Sequence, residues 1–109
     1  MKLCGHTVGL DQPLFLIAGP CTAESLELCV EVAGHMKDVC GRLGVPYIFK
    51  ASYDKANRSS GKSVRGPGVD AGLKLLDEVR RQVGVSILTD VHTEEDIPAV
   101  ASVVDVLQT

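Results

Sequence analysis

Residues 69–91 read VDAGLKLLDEVRRQVGVSILTDV, and their hydrophobic period changes midway. Up to Val83 the apolar side chains fall at Val69, Leu73, Leu76, Val79 and Val83, a spacing that puts them on one face of a helix. Gly84 ends that run, as glycine does where a helix must turn away. VSILTDV at 85–91 is then a short continuous apolar run, the pattern of a strand buried on both faces.

The same step recurs on both sides. LFLIAGP (14–20) is an apolar run closed by Gly19-Pro20 and predicts a buried strand. Over Ser25 to Leu43 the residues Leu26, Cys29, Val30, Ala33, Met36, Cys40 and Leu43 share one helix face, and Gly44 with Pro46 stops the helix. YIFKAS (47–52) predicts a second strand and VVDVLQT (103–109) a fourth. Thr93, with Asp96 three residues on, resembles a capping box with Asp in the Glu/Gln position, predicting a short helix to about Ser102. Residues 1–13, MKLCGHTVGLDQP, read as a leader with a short hairpin, and 14–109 as one unit.

Successive βα units with apolar strands predict an α/β fold, a parallel sheet covered by helices. A complete (β/α)8 barrel takes about 250 residues. The 109 residues therefore fit either a small open α/β domain or the N-terminal part of a barrel, with the fourth strand cut inside the fold.

A hydrophobic content of 45% and a charged content of 23% are globular values. The net charge of −3 supplies no overall positive field, which argues against nucleic-acid and anionic-membrane partners. No apolar run reaches a membrane-spanning length, and residues 1–13 lack the form of a signal peptide. The cysteines at 4, 21, 29 and 40 form no CxxC pair and lie in the first forty residues; the expectation is a cytoplasmic chain with reduced thiols. With no GxGxxG before a helix and no GxxxxGK[ST], no nucleotide cofactor is expected.

Positive charge collects in one connection, KASYDKANRSSGKSVRGPG at 50–68. Lys50, Lys55, Arg58, Lys62 and Arg65 are interleaved there with Asn57, Ser59, Ser60 and Gly61. Point-charge lysines, forked arginines and small donors are the mixture that a phosphate or carboxylate takes; a solvated surface loop has the same composition. RGPG before the helix reads as an anion-facing N-terminus or as a plain turn. Lys50 ends an apolar strand, where burial is costly without an anionic partner.

Every unusual residue follows a strand: Cys21 the first, Lys50 to Arg65 the second, Asp90 and His92 the third, Gln108 the fourth. In parallel α/β folds those C-terminal ends make one ligand-binding face. Cys29 and Cys40 lie on the apolar helix face and read as core, and Cys4 is uninformative. Cys21 reads as a metal ligand, a nucleophile or an inert thiol. Asp90 and His92 read as acid–base groups, metal ligands or turn residues. His6 and His35 have no supporting neighbours.

IAGPCTAES, FKASYDKANRSS, RGPG, TDVH and VVDVLQT together resemble the 3-deoxy-D-manno-octulosonate 8-phosphate (KDO-8-phosphate) synthase family, from about Leu14 to Thr109. IAGPC alone does not separate it from the related DAHP synthases, which have a KPRTS-type sequence where this chain has KANRSS. The resemblance implies a (β/α)8 barrel that condenses phosphoenolpyruvate with D-arabinose 5-phosphate and water and releases phosphate. The product enters the lipopolysaccharide core of Gram-negative bacteria, and family members are homotetramers.

It implies catalytic roles for Lys50, Lys55 and Asp90. Lys50 and Lys55 would hold the phosphate and carboxylate of phosphoenolpyruvate, with Ser52 nearby. Asn57, Arg58 and Ser59 would bind arabinose 5-phosphate near its phosphate, and Asp90 and Gln108 would line the same site. A cysteine after IAGP marks the metal-dependent members, so Cys21 is implied as a ligand of a divalent metal. The other ligands (a histidine, a glutamate and an aspartate) belong to later strands, so the 109-residue piece is expected to be inactive alone. Lys62 and Arg65 receive no role. The alternatives are a DAHP synthase-like condensation with erythrose 4-phosphate and a non-catalytic phosphate-binding half barrel.

Overall fold

The computed structural model describes residues 1–23, 25–53 and 69–109. In chain order they form β1 (Lys2–Leu3), β2 (His6–Thr7), β3 (Leu16–Ala18), α1 (Leu26–Leu43), β4 (Tyr47–Lys50), α2 (Val69–Val83) and β5 (Ser86–Asp90). A 3-10 turn (Glu94–Asp96), α3 (Ile97–Ala101) and β6 (Val106–Gln108) follow. β3, β4, β5 and β6 make one parallel sheet in that spatial order. Each new strand joins the same growing edge, whereas a doubly wound sheet reverses direction at a switch point. This is the expected topology of part of a (β/α)8 barrel. β1 and β2 form the expected hairpin, closed through Cys4 (φ 49°) and Gly5 (φ 84°), the paired positive φ of a type I′ turn.

The helix ends follow local chemistry. Ser25 caps α1, its Oγ accepting from the Leu28 N–H at 3.1 Å. Gly44 closes it at φ 72°, donating to the Cys40 and Gly41 carbonyls. Gly84, at φ 77°, ends α2 by donating to the Arg80 carbonyl at 2.8 Å. Lys37 of α1 donates to the Val83 carbonyl at 2.7 Å, satisfying an acceptor that the end of α2 leaves open.

Alternation along the strands separates two faces. Phe49, Ala51 and Ile87 turn toward the helices and are buried with Cys29, Ala33, Leu73, Leu76, Val79 and Val100. Thr89 is fully buried, and its hydroxyl donates to the Ala51 carbonyl at 2.7 Å, which removes the penalty of an unpaired polar group. On the alternate positions, successive register rows hold Ile17, Ile48 and Ser86, then Lys50, Leu88 and Val106, then Asp90 and Gln108. Apart from Ser86 at the start of β5, the polar side chains on these positions (Lys50, Asp90 and Gln108) stand at the strands' C-terminal ends.

Three expectations change. The run LFLIAGP is not a buried strand throughout: only Leu16–Ala18 pairs, Leu14 is 86% exposed and Ile17 38%. β3 is an edge strand with β4 alone beside it, so half of its surface lacks a neighbour among the described residues. Leu43, expected on the apolar face of α1, is exposed with Gly41, Arg42 and Gly44, because the last turn runs past the core. Thr93 forms no side-chain cap; its carbonyl accepts the Asp96 N–H at 3.3 Å in the 3-10 turn, and α3 starts only at Ile97. Among the described residues, no helix is long and apolar enough to cross a membrane.

Candidate functional site

Lys50, Asp90 and Gln108 are the C-terminal residues of β4, β5 and β6. Asp90 lies beside Gln108 in register, and Lys50 beside Leu88, one pleat further in. Lys50 is half-buried, its stem partly enclosed at the strand end, and its ammonium is a suitable donor to an anionic partner. Gly19 lets the chain leaving β3 approach this point. A Cβ at residue 19 would overlap the Lys50 carbonyl oxygen and come within 2.8 Å of the carbonyl carbon.

Beyond Lys50, Ser52 joins three segments. Its N–H donates to the Cys21 carbonyl at 3.2 Å and its carbonyl accepts the Ala23 N–H at 2.9 Å, a parallel bridge that sets Thr22 beside it. Its hydroxyl donates to Asp90 Oδ1 at 2.7 Å, a charge-assisted bond stronger than a neutral one. The other carboxylate oxygen, Oδ2, lies 3.5 Å from His92 Nε2. The Val91 N–H donates to the Gln108 carbonyl at 3.0 Å and carries the ladder one residue past Asp90. Four strand ends thus bring together Cys21, Lys50, Ser52, Asp90, His92 and Gln108. A half-buried cation, a fixed carboxylate, a hydroxyl, an imidazole and an amide can hold an anion and hydrogen-bond a polyhydroxylated partner.

Tyr53 turns the other way. It is fully buried, and its hydroxyl donates to Asp96 Oδ2 at 3.0 Å. Its ring centroid is 6.0 Å from that of His92, at 46°. Tyr47, at the opposite end of β4, donates to the Ala18 carbonyl at 2.7 Å. Burial, and secondarily Cys40, push its phenol up to about 12.

The profile of the DAHP synthetase I family matches residues 4–109. The chain belongs to that family. It is 76% identical over all 109 residues to a 2-dehydro-3-deoxyphosphooctonate aldolase of Dechloromonas aromatica. It is also 67% and 64% identical to proteins of the same name from Methylobacillus flagellatus and Laribacter hongkongensis. The whole chain is covered each time, and it spans 38–39% of those relatives' length.

Of the residues that the family resemblance singles out, Lys50, Ser52, Asp90, Gln108 and Cys21 lie at one end of the sheet. Lys55, Asn57, Arg58 and Ser59 lie outside the described residues, as do Lys62, Arg65 and RGPG. Cys21 is exposed beside Ser52, and a thiol there is a fitting donor for a divalent metal. Among the described residues no three His, Cys, Asp or Glu side chains gather around a metal position, so Cys21 does not stand within a complete ligand set there.

Sequence reasoning missed Tyr53 and Gly72. Tyr53 falls within the polar connection in the sequence, although an aromatic among lysines and serines is itself a sign of burial. Gly72 interrupts an otherwise regular helical run, a pattern that calls for a close contact. A Cβ there would lie 2.8 Å from both the Cβ and the carbonyl oxygen of Tyr53.

Proposed function

We propose that these residues carry part of the site that condenses phosphoenolpyruvate with D-arabinose 5-phosphate and water, giving 3-deoxy-D-manno-octulosonate 8-phosphate and phosphate, with turnover requiring a chain of the relatives' full length. The reading rests on one observation: Lys50, Ser52 and Asp90 meet at adjoining strand ends in a chain 76% identical to a 2-dehydro-3-deoxyphosphooctonate aldolase. Lys50 and Lys55 hold the phosphate and carboxylate of phosphoenolpyruvate, with Ser52 beside them. Asn57, Arg58 and Ser59 bind the pentose phosphate, and Gln108 hydrogen-bonds its polyol.

Two anions in one site repel each other, and cations placed between them offset that repulsion most where water is excluded. C3 of phosphoenolpyruvate forms the new bond to the aldehyde carbon, and the aldehyde oxygen takes a proton. Water adds at C2 and gives one proton to Asp90, which returns it to the former aldehyde oxygen; the C2 hydroxyl then loses its second proton to the departing phosphate as the C2–O bond to phosphate breaks, leaving the C2 ketone and inorganic phosphate. Ser52 holds the Asp90 carboxylate at 2.7 Å. Cys21 is proposed as one ligand of a divalent metal, which when bound supplies Lewis acidity without redox change. The same reading includes a cytoplasmic homo-oligomer that supplies lipopolysaccharide synthesis.

Phosphate release from the two substrates by a chain of the relatives' full length carrying these residues, combined with calorimetry of phosphoenolpyruvate binding, tests the proposal. Lys50→Ala is expected to lower turnover by about 100-fold or more, the usual scale for losing a group that stabilises reaction charge, and to abolish most of the binding heat. Equal heats for Lys50→Ala and the natural protein would refute it. Faster turnover of erythrose 4-phosphate than arabinose 5-phosphate would move the assignment to the DAHP synthase reaction.

A further inference from the structure

Ser52 and Tyr53 are neighbours in sequence, yet they leave the end of β4 on opposite sides of the sheet, Ser52 reaching the last residue of β5 and Tyr53 the segment after it. Ser52 bonds Asp90 on the polar face at 2.7 Å. Tyr53 enters the helix-side core and bonds Asp96 at 3.0 Å. Two side-chain bonds therefore tie the start of the basic connection to residues 90–96.

We propose that Tyr53, acting through Asp96, is a positioning residue for the strand-end site: it sets the Ser52–Asp90 contact without touching ligand. The proposal rests on the site reading above. Three observations carry it. Tyr53 has little room to shift, since its backbone lies against Gly72 so closely that a Cβ there would come within 2.8 Å of it. A buried phenol gives up water and must find an acceptor. Here the acceptor is a carboxylate, which makes the bond charge-assisted. Finally, the Tyr53 ring is 6.0 Å from the His92 ring, and His92 Nε2 faces the Asp90 oxygen that Ser52 leaves open. A displacement of Tyr53 reaches Asp90 from both sides, through Ser52 along the chain and through His92 across it.

The test uses phosphoenolpyruvate as the calorimetric probe, with thermal unfolding recorded alongside. Tyr53→Phe keeps the ring and deletes the donor, and is expected to weaken binding about five- to tenfold, the scale of one ordinary hydrogen bond, because the loss reaches the ligand only through Asp90. Asp96→Ala is expected to do the same, and the double variant no more than either alone. Asp96→Asn still accepts through its amide oxygen, so binding is expected within about twofold of the natural protein. Val79→Ala, a core truncation in α2, is expected to lower the melting temperature without altering affinity.

Unchanged affinity in both Tyr53→Phe and Asp96→Ala, with Lys50→Ala still losing binding, would overturn the positioning role and leave the site intact. Asp96→Asn as weak as Asp96→Ala would overturn it too. Lys50→Ala binding normally would overturn the site itself. Should Tyr53→Phe fail to fold, Asp96→Ala carries the test with the tyrosine in place.

Discussion

Replacing Gly19 with alanine sets two effects of opposite sign against each other. The residue has no positive φ, so alanine fits its backbone conformation and would stabilise the fold by about 0.4–1 kcal/mol through a stiffer unfolded chain. Against this, the new Cβ would overlap the Lys50 carbonyl oxygen and lie 2.8 Å and 3.0 Å from the Lys50 carbonyl carbon and nitrogen. All three are backbone atoms of a paired strand, so no rotamer change relieves the clash. Overpacking costs about 1–3 kcal/mol where side chains can yield, and this contact belongs at or above the top of that range. The net expectation is a loss of about 2 kcal/mol or more, a fall in melting temperature of roughly 8 °C or more for a domain of this size. Urea unfolding at 25 °C measures it as a lower midpoint at constant slope. A Gly19→Ala protein as stable as the natural one would show that the strand ends separate at no cost, and would refute the close approach on which the placement of Lys50 depends.

Glycines inside the helices supply an internal comparison. Alanine at Gly34 of α1 meets no atom within 4 Å and is expected to stabilise by about 0.5–1 kcal/mol. Alanine at Gly72 of α2 meets Tyr53 at 2.8 Å and is expected to destabilise despite the same propensity gain; equal denaturation midpoints for the two variants would contradict the structure. Tyr47 carries a pH dependence. Its phenol titrates near 10 when unfolded and is raised to about 12 when folded, so its contribution is complete below pH 10 and lost as the pH rises toward 12. Two pKa units correspond to about 2.7 kcal/mol, and solvent screening of the half-exposed ring reduces this to about 1 kcal/mol. Urea melts at pH 9 and pH 11 should show a steeper loss for the natural protein than for Tyr47→Phe, and parallel losses would remove Tyr47 as the cause.

Apolar period carried most of the architecture. Val69 to Val83 and Ser86 to Asp90 fall where their spacing puts them, because both elements are enclosed by neighbours and pattern reports burial. The same logic overstates LFLIAGP, since periodicity registers apolar content and is silent about whether anything lies on the far side of an edge strand. The Thr93–Asp96 pair misled for another reason. A capping box is defined within one segment, and the Asp96 carboxylate is instead taken by Tyr53, 43 residues away in sequence. The site was legible as a set of strand ends, which follows from parallel topology alone. Which side chains touch was not: the Ser52–Asp90 bond and the tilt of His92 over Tyr53 depend on register and on the glycines that permit close approach.

The spatial order of the strands also bears on how the sheet assembles. Among the described residues of the parallel sheet, each strand after β3 pairs with the one before it in the chain, so no pairing requires closure of a loop longer than about 40 residues, and the entropic cost grows only slowly with loop length. During synthesis the pairing edge for each strand has already left the ribosome when that strand emerges, and the chain can lay down its sheet in the order of translation. That order would set Lys50 beside Gly19 at the end of β3 before Asp90 joins the sheet, completing the polar end of the sheet strand by strand.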